Sequence, residues 1–328
     1  MTWLERHWQR VTFVSALLYP LSLIFRGIVA LRRAAYRTKV LASRRLGVPV
    51  IVVGNITVGG TGKTPLVLWL AEFLLRRGFH PGIVSRGYGS SQRSPRRVTA
   101  ASDPARVGDE PVLLAQRSGC PVWVGTSRVA AGEALLRAHP ECDVVVSDDG
   151  LQHYALQRDV EIAVVDGERG MGNGFMLPAG PLREPPSRLR SVDAIAVTGG
   201  AESFATGLRG HSIKLEGRDF RNLLNPDHVV GPAHFQRQRV HAIAGIGNPQ
   251  RFFTHLEALG LRLEPHAFPD HYAYTPADVS FPNADAILMT EKDAVKCAAF
   301  AAETHWVLRV DALPDSELGE LILRRLRS

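Results

Sequence analysis

Two adjoining stretches decide the fold: Val48-Pro-Val-Ile-Val-Val53, and directly after it Gly54-Asn-Ile-Thr-Val-Gly-Gly-Thr-Gly-Lys-Thr64. The first is apolar and rich in β-branched residues, which is typical of a buried strand. The second is a glycine-rich loop that ends in Lys-Thr, and residues 65–75 after it have the composition of a helix ending near Gly78. Strand, loop and helix in this order predict a P-loop, in which backbone N–H groups and the helix N-terminus bind phosphate.

This loop departs from the general P-loop pattern at one position. G-x-x-x-x-G-K-[ST] requires glycine at position 57, where the chain has Thr57. We expect the following residues to bind the nucleotide: Thr57, Val58, Gly59, Gly60, Thr61, Gly62, Lys63 and Thr64. Lys63 would reach the β- and γ-phosphates, and the Thr64 hydroxyl would hold Mg²⁺. A glycine-rich turn that binds no ligand is the alternative.

A second motif is the apolar segment Asp143-Val-Val-Val-Ser-Asp-Asp-Gly150, which ends in two carboxylates. Ligands bind at the carboxyl ends of the strands in open α/β sheets. We therefore expect Asp148 and Asp149 beside the P-loop, where one of them holds Mg²⁺ directly or through water. Taken alone, Asp-Asp-Gly also fits a plain turn.

Further apolar segments alternate with helical stretches along the first two thirds of the chain. They cover residues 81–85, 121–124, 160–165 and 194–198. This alternation predicts an α/β fold with a P-loop NTPase-type parallel sheet and helices on both faces.

The rest of the chain predicts a second, smaller unit. Residues 211–216 and 219–223 flank Gly217-Arg218 like a two-stranded β-ribbon. Beyond it, three apolar runs predict a C-terminal α/β domain: residues 240–245, 286–290 and 306–310. We expect an N-terminal arm, a P-loop domain, a two-stranded linker and a C-terminal domain, over residues 1–46, 47–205, 206–236 and 237–328.

The charge of the chain is concentrated at its N-terminus. Residues 1–50 contain nine of the 39 basic residues and one of the 32 acidic residues, so this segment carries +8 and the remainder −1. Nucleic-acid binding would require basic residues across a folded face, so we expect no nucleic-acid partner. The 45% of hydrophobic residues excludes a disordered chain, and three distant cysteines without C-x-x-C spacing indicate neither a disulfide framework nor a structural zinc site.

The N-terminal arm combines this charge with an apolar run. Residues 11–25 contain no charged side chain, and Pro20 lies near the middle of the run. A 15-residue helix would be about 22 Å long, shorter than the ~30 Å hydrocarbon core of a bilayer. With Trp3 and Trp8 before it and Arg/Lys residues after it, the pattern favours a helix lying in the interface of an anionic membrane, at the cytoplasmic leaflet. The alternative is a core helix followed by a solvated basic tail.

Several polar residues could determine which reaction the nucleotide site supports. Asp109 and Glu110, in Val107-Gly-Asp-Glu-Pro111, fit either a catalytic base near an acceptor hydroxyl or ordinary capping of a helix N-terminus. Arg86 follows a strand, Arg183 lies in a Pro/Gly-rich loop, and His271 follows Phe268-Pro-Asp270. The sequence alone leaves all of these roles open.

The segments together resemble the tetraacyldisaccharide 4'-kinase family of lipid A biosynthesis. After the basic apolar N-terminus, the matching segments are GNITVGGTGKTP (54–65), SRGYG (85–89), VGDEP (107–111), DDGLQH (148–153), LPAGPLREP (177–185), FPDHY (268–272) and TEKDAVK (290–296). Their joint order is highly specific, whereas GTGKT alone occurs in many NTPases. Threonine at position 57 is typical of the loop in this family.

The resemblance implies transfer of the γ-phosphate of ATP to the 4'-hydroxyl of a tetraacyldisaccharide 1-phosphate, with ATP and Mg²⁺ as cofactors and lipid IVA as product. It implies Asp109 as the base, His271 as its dyad partner and Lys63 at the phosphates. It also implies contacts to Mg²⁺ from Asp148 and Asp149, and to phosphate or acceptor from Arg86, Glu110 and Arg183. The expected partners are the lipid disaccharide and anionic lipids at the cytoplasmic face of the inner membrane, and the chain is expected to be a monomer.

Two other classes compete with this interpretation: other P-loop NTPases, of the GTPase or metal-delivery type, and non-enzymatic membrane scaffolds. A GTPase would need a guanine-reading [NT]-K-x-D segment, and in Thr290-Glu-Lys-Asp293 the lysine comes one place late. A metal-delivery NTPase would need a Cys/His cluster, which the sequence pattern does not show. A non-enzymatic membrane scaffold would have no use for a P-loop, an acidic strand end and a candidate base together.

Overall fold

A computed structural model describes residues 5–87, 94–199 and 210–327. In chain order the strands are β1 (Val50–Gly54), β2 (Pro81–Ser85), β3 (Arg96–Val98), β4 (Val122–Val124), β5 (Val144–Asp148), β6 (Val160–Asp166), β7 (Ala194–Thr198), β8 (His211–Glu216), β9 (Phe220–Asn222), β10 (Val229–Val230), β11 (Val240–Ala244), β12 (Leu263–Ala267), β13 (Ala286–Thr290), β14 (His305–Leu308) and β15 (Asp311–Pro314). They form two sheets.

The α-helices, again in chain order, are α1 (Phe13–Arg37), α2 (Lys63–Arg76), α3 (Pro104–Val107), α4 (Asp109–Arg117), α5 (Arg128–Ala138), α6 (Pro249–Ala258), α7 (Glu291–Cys297) and α8 (Ser316–Arg327). Short 3₁₀ helices cover Glu5–His7, Pro186–Ser191, Pro232–Phe235, Pro276–Val279 and Ala298–Phe300.

The larger sheet has the strand order β15-β8-β7-β6-β1-β5-β2-β4-β3. Neighbours from β8 to β4 are parallel, and β15 and β3 pair antiparallel at the two edges. The central strands are buried along their whole length, which explains why their sequences are continuously apolar rather than alternating. The expected α/β fold with a parallel P-loop sheet is confirmed.

Helices cover both faces of this sheet. On one face α2 and α8 pack against the strands through residues such as Leu66, Leu70 and Ile322. On the other face the core includes Leu135 of α5, and Phe25 and Val29 of α1 pack against it. A helix on each face buries both sides of the strands, as the sequence predicted.

The smaller sheet has the order β10-β9-β14-β13-β11-β12. Strands β12, β11, β13 and β14 are parallel, and β9 and β10 continue the sheet antiparallel. The C-terminal part of the chain thus forms most of a second, smaller sheet.

The predicted β-ribbon is wrong. Strand β8 pairs with β7 and β15 in the larger sheet, whereas β9 pairs with β14 and β10 in the smaller one. The two segments therefore belong to different sheets and do not pair with each other. The short Gly217-Arg218 connection suggested a hairpin, but each strand has a partner on both sides in its own sheet, so its backbone groups are paired along both edges.

The predicted boundary of the C-terminal domain is wrong for the same reason. Strand β15 pairs with β8, and Leu318 and Ile322 of α8 belong to the core of the larger sheet. The chain therefore leaves the P-loop domain after β8, builds the smaller sheet, and returns to complete the first. Helix α8 buries its apolar face against the larger sheet and not against the smaller one.

Helix α1 is longer than the charge-free run suggested. It has 25 residues and continues through Pro20 and past Arg26, so it is about 37 Å long. By length and composition α1 qualifies as a membrane-spanning helix, a criterion that core helices and signal sequences also meet. Helix α1 is therefore long enough to span a bilayer, and the shorter length expected from residues 11–25 is wrong.

Candidate active site

The P-loop connects β1 to α2. Gly59 and Gly62 have φ angles of 101° and 83°, which side chains rarely tolerate. The Asn55 side-chain amide spans the loop and donates to the Gly59 carbonyl oxygen and to Thr61 Oγ1, both at 3.4 Å. Lys63 is the first residue of α2, so the loop delivers its backbone N–H groups and a lysine to the same point.

The segment 176–184 supports the first half of the P-loop from outside. The Val58 N–H donates to the Pro181 carbonyl oxygen at 2.8 Å, and the Arg183 N–H donates to the Ile56 carbonyl oxygen at 2.7 Å. Thr57, the residue that departs from the general pattern, forms an isolated bridge with Leu182. This pairing requires an extended backbone at position 57, where glycine would offer no advantage.

Asp149 and Lys63 form the charged centre of the site. Lys63 Nζ lies 3.5 Å from Asp149 Oδ1, and the Arg183 guanidinium lies 3.1 Å from Asp149 Oδ2. Burial opposes ionisation, but Lys63 and Arg183 outweigh it and lower the pKa of Asp149 to about 2. Both cations are thus held at the end of β5, beside the P-loop.

Asp148 has a different environment. It is 1% exposed, accepts a hydrogen bond from Ser85 at 3.0 Å, and its Oδ1 has no hydrogen-bond partner among the described residues. Burial, followed by the charges of Glu110 and Asp149, raises the pKa of Asp148 to about 7. A buried, unpartnered carboxylate oxygen suits a hard cation such as Mg²⁺, which binds oxygen ligands and would compensate the buried charge.

Asp109 and His271 meet across the two domains. His271 Nδ1 lies 3.1 Å from Asp109 Oδ2, although 162 residues separate them in sequence. Asp109 is 7% exposed, and its Oδ1 accepts a hydrogen bond from the Glu110 N–H at 2.8 Å. Burial would raise the pKa of Asp109, but the bond to His271 and the charge of Lys292 lower it to about 2. The aspartate is therefore ionised and oriented by the histidine.

The capping alternative for Asp109 does not describe α4. The N-cap residue of this helix is Gly108, with φ of 95°, and Asp109 is already inside the first turn. One carboxylate oxygen contacts the neighbouring N–H, and the other points to His271. The sequence could not distinguish these positions because a cap and a first-turn residue differ by one place.

Glu110 pairs with Lys292 of α7. Burial opposes its ionisation, but Lys292 and Lys63 lower the pKa of Glu110 below its ordinary value. The pair lies next to the contact between Asp109 and His271, and Arg117 bonds to Glu291 at 2.6 Å further along the same two helices. Ion pairs between α4 and α7 therefore fix the position of the smaller domain beside the P-loop domain.

A cavity of about 420 Å³ opens in front of these residues. Its polar wall includes Asp109, Glu110, Asp149 and Arg183, and its apolar wall includes one side of α1. The other wall residues are Phe25, Ile28, Val29, Arg32, Ser85, Arg86, Pro111, Gln152, Tyr154, Leu177 and Glu184. The cavity joins the candidate base to the helix at the surface of the protein.

The structure therefore brings most of the predicted site residues together. Arg86 is exposed and lines the rim of the cavity, while the rest of its segment, residues 88–93, lies outside the described residues. Thr64 is buried in the first turn of α2. The individual roles of these residues stay predictions.

Sequence reasoning assigned no role to three residues that the structure places at the site. Lys292 pairs with Glu110, and Gln152 and Tyr154 both bond to the buried carboxylate of Glu184 at the cavity wall. These three residues lie in the TEKDAVK and DDGLQH segments or directly after them, which was the only signal in the sequence. Their spacing along the chain indicated no partner.

The sequence profile of the tetraacyldisaccharide-1-P 4'-kinase (LpxK) family matches residues 14–327. The chain is 53% identical to the tetraacyldisaccharide 4'-kinase of Methylobacillus flagellatus, over 99% of this chain and 96% of that protein. It is 52% identical to the enzyme of the same name from Azoarcus sp., over 95% and 92% of the two chains. The chain belongs to this family.

A solved structure supports the same assignment. LpxK from Aquifex aeolicus, determined as an "apo" form in complex with ATP, matches with a TM-score of 0.80 and 29% identity, over 96% of this chain and 100% of that one. The expected family, fold class and kinase function are confirmed. The GTPase and metal-delivery alternatives are not favoured.

The pair of Asp109 and His271 makes the stability of the fold depend on pH. The hydrogen bond to Asp109 raises the pKa of His271 above its ordinary value, so its contribution is complete below about pH 6.5 and is lost as pH rises through the raised pKa. Asp109 contributes above about pH 4, and this contribution is lost as pH falls toward its pKa of about 2.

We therefore expect His271→Ala to lower Tm more at about pH 5.5 than at about pH 8.5. Melting curves of both proteins at the two pH values measure this difference. His271→Gln, which can donate an uncharged hydrogen bond, is the control. It should lower Tm less than His271→Ala does, and its Tm loss should also be larger at about pH 5.5 than at about pH 8.5. An equal Tm loss at both pH values would contradict the charged pair.

Proposed function

We propose that this protein transfers the γ-phosphoryl group of ATP to the 4'-hydroxyl of a tetraacyldisaccharide 1-phosphate, giving lipid IVA and ADP at the membrane surface. The observation that carries the proposal is one cavity whose wall contains the candidate base Asp109, the ion pair of Asp149 and Arg183, and the apolar side of α1. Lys63 lies 3.5 Å from Asp149 in this wall. A phosphate site alone would suit many NTPases. An acylated acceptor also needs apolar surface beside the base.

The nucleotide would bind with its phosphates along the P-loop. Backbone N–H groups of residues 59–62 and the start of α2 offer donors to the β- and γ-phosphates, and Lys63 and Arg183 offer fixed positive charge. Because phosphoryl transfer spreads negative charge over the moving group, prepositioned cations stabilise the transition state more than the ground state. Lys63 is 11% exposed, so water screens its charge weakly.

Mg²⁺ would be held by Thr64, Asp148 and Asp149. The fit rests on Asp148, whose buried Oδ1 lacks a hydrogen-bond partner in the described part of the chain. When bound, the ion would neutralise charge on the β- and γ-phosphates. Asp149 already has two cationic partners, so we propose Asp148 as the direct ligand.

Asp109 would accept the proton of the 4'-hydroxyl. As the hydroxyl oxygen bonds to the γ-phosphorus, its proton passes to Asp109 and the bond from phosphorus to the β,γ-bridging oxygen breaks, which releases ADP. With a pKa of about 2, Asp109 is a weak base, so the proton moves late, once the attacking oxygen has become acidic. His271 orients the carboxylate and stabilises its charge.

The membrane would be met by α1. Its exposed apolar residues follow one stripe, at Phe13, Leu17, Ile24, Ile28 and Leu31, between 59% and 84% exposed. Phe25, Ile28 and Val29 face the cavity. We propose that this stripe and the arginines after it rest in the cytoplasmic leaflet among anionic lipids, so that the acceptor enters the cavity without leaving the membrane.

Mass spectrometry of the acceptor tests the reaction. With ATP and Mg²⁺ the lipid disaccharide should gain one phosphate, and a 4'-deoxy acceptor should gain none. GTP in place of ATP tests the competing class of NTPase. ADP release at the same rate with and without the acceptor, or product formed from the 4'-deoxy acceptor, would contradict the proposal.

The membrane contact makes a separate prediction. Deleting α1 would uncover the core at Phe25 and Val29, so surface substitutions are the cleaner test. The triple variant Leu17→Ser, Ile24→Ser and Leu31→Ser should lower partition onto anionic vesicles by about 10³-fold or more, since each side chain loses roughly 1.5–3 kcal/mol of apolar transfer and about 1.4 kcal/mol corresponds to a factor of ten. Vesicle co-sedimentation measures it.

A matched control places the same change elsewhere on the surface. Leu75, Leu224 and Leu313 are 42%, 56% and 48% exposed, and changing them to serine should leave partition unaltered. High salt should weaken the binding of the unchanged protein only in part, because salt screens the arginines but not the apolar contact. Equal partition of both triple variants would exclude α1 as the membrane contact.

A further inference from the structure

Three potential metal ligands meet at the edge of the smaller sheet, away from the P-loop. Strand β12 is the outermost strand, and its parallel register with β11 places His241 beside Glu264 and Ile243 beside His266. Glu264 and His266 are two residues apart on one strand, so both side chains lie on the same face. Strand pairing, rather than a flexible loop, brings the three together.

The ligand atoms of these residues converge. His241 Nδ1 lies 3.0 Å from His266 Nε2, and Glu264 carboxylate oxygens lie 3.8 Å and 4.0 Å from these two nitrogens. All three ligand atoms lie within 4.8 Å of one another. Tetrahedral Zn²⁺ with bonds of about 2.0–2.2 Å places its ligand atoms about 3.3 Å apart, so small side-chain movements would complete the geometry.

Aromatic stacking holds the two imidazole rings in place. Both rings stack on Phe281, with centroid distances of 4.5 Å and 4.2 Å and interplanar angles of 3° and 19°. The two imidazole rings are therefore nearly parallel, with an interplanar angle of 16°, and packing on the same phenyl ring limits how far either can turn. Glu264 is 69% exposed and can move, whereas the His241 and His266 side chains are 13% and 23% exposed.

We propose that His241, Glu264 and His266 bind a divalent transition metal ion, above all Zn²⁺, which ties the edge strand β12 to β11 and leaves a fourth position for water. Two imidazoles and one carboxylate are a common protein ligand set for zinc and differ from the all-oxygen sites that Mg²⁺ prefers. The sequence indicated no zinc site because its ligands come from two strands and include no cysteine.

A plain hydrogen bond between two histidines is the competing explanation, and metal titration separates the two. The full-length protein, stripped of metal with a chelator and kept in excess Mg²⁺ to occupy the carboxylates near the P-loop, is titrated with Zn²⁺ alone by calorimetry. We expect one saturable site, a Tm that rises with Zn²⁺ and falls again with chelator, and visible d–d absorption of a tetrahedral site when Co²⁺ replaces Zn²⁺.

The variants locate the ion. His266→Ala should weaken Zn²⁺ binding by about 100-fold or more. Loss of a residue that only hydrogen-bonds to a metal ligand already lowers metal affinity by about 10–100-fold, and loss of the ligand itself lowers it further. Glu264→Gln, on an exposed side chain, should also weaken binding while leaving Tm without zinc and kinase activity unchanged, so the test does not depend on the histidine variant folding well. His80→Ala, at an exposed histidine beside Asp143, is the matched control and should bind Zn²⁺ normally.

Two results would overturn the proposal: no saturable Zn²⁺ binding by the unchanged protein, or equal binding by Glu264→Gln, His266→Ala and the His80→Ala control. Either would leave the two histidines as a hydrogen-bonded pair. This test does not depend on phosphoryl transfer, because it measures Zn²⁺ binding and Tm.

Discussion

Replacing Lys63 with alanine is expected to lower kcat by about 10³-fold while the protein stays folded. Lys63 is the first residue of α2 and lies 3.5 Å from Asp149, with 11% of its side chain exposed. In so buried a site its charge acts on the phosphoryl group as negative charge develops, and alanine provides no replacement. The effect should appear mainly in kcat, because several backbone N–H groups still bind the phosphates.

The measurement is kcat at saturating ATP and acceptor, with Tm as the folding control. Lys214→Ala removes a lysine that is 73% exposed and paired with Glu216, and it should leave kcat unchanged. Near-normal kcat in a well-folded Lys63→Ala protein would remove the P-loop lysine from the mechanism.

Asp109→Asn is expected to lower kcat by about 10²–10⁴-fold with little change in ATP affinity. Asparagine fills the same space and can still accept the hydrogen bond from the Glu110 N–H, but it cannot take the hydroxyl proton. A structural role limited to accepting this hydrogen bond would tolerate the change, because the asparagine side-chain oxygen accepts it as well. Asp103→Asn, at the N-cap of α3, provides that comparison and should be nearly silent.

His271 extends the test to the pair. His271→Ala should reduce kcat less than Asp109→Asn, because the carboxylate remains but loses its orientation. The double variant should be little worse than Asp109→Asn alone, since both changes disable one unit. Full activity of Asp109→Asn would rule it out as the base, and a double variant whose losses multiply would show that the two residues act independently.

Local features of the sequence predicted most of the larger sheet. Strands such as β1 and β5 are buried on both faces, so they consist of continuous β-branched runs that can be recognised without their partners. The P-loop could be recognised for a similar reason, because its glycines and Lys-Thr act through their own backbone and the following helix. Asp148 and Asp149 followed, since the carboxyl ends of parallel strands share one edge.

The sequence was less informative where the competing arrangements are locally alike. Residues 211–223 resemble a hairpin, and whether β8 and β9 pair with each other or join separate sheets depends on strands far along the chain. Likewise, the charge-free run ends before Arg26 and suggests a short helix, but Phe25 and Val29 pack on the core and α1 continues to Arg37. In both places long-range burial outweighs the local signal.

The sequence by itself determined the P-loop half of the proposed site, because a P-loop needs only contiguous residues. Only the tertiary structure decided the half that we propose for the acceptor. It joins Asp109 to His271 over 162 residues, pairs Glu110 with Lys292 over 182, and places α1 against the cavity. These contacts exist because the chain leaves the larger sheet after β8 and returns with β15 and α8, which holds α7 against α4. Spacing along a sequence cannot reveal such contacts, since the packing of two sheets sets which distant side chains meet.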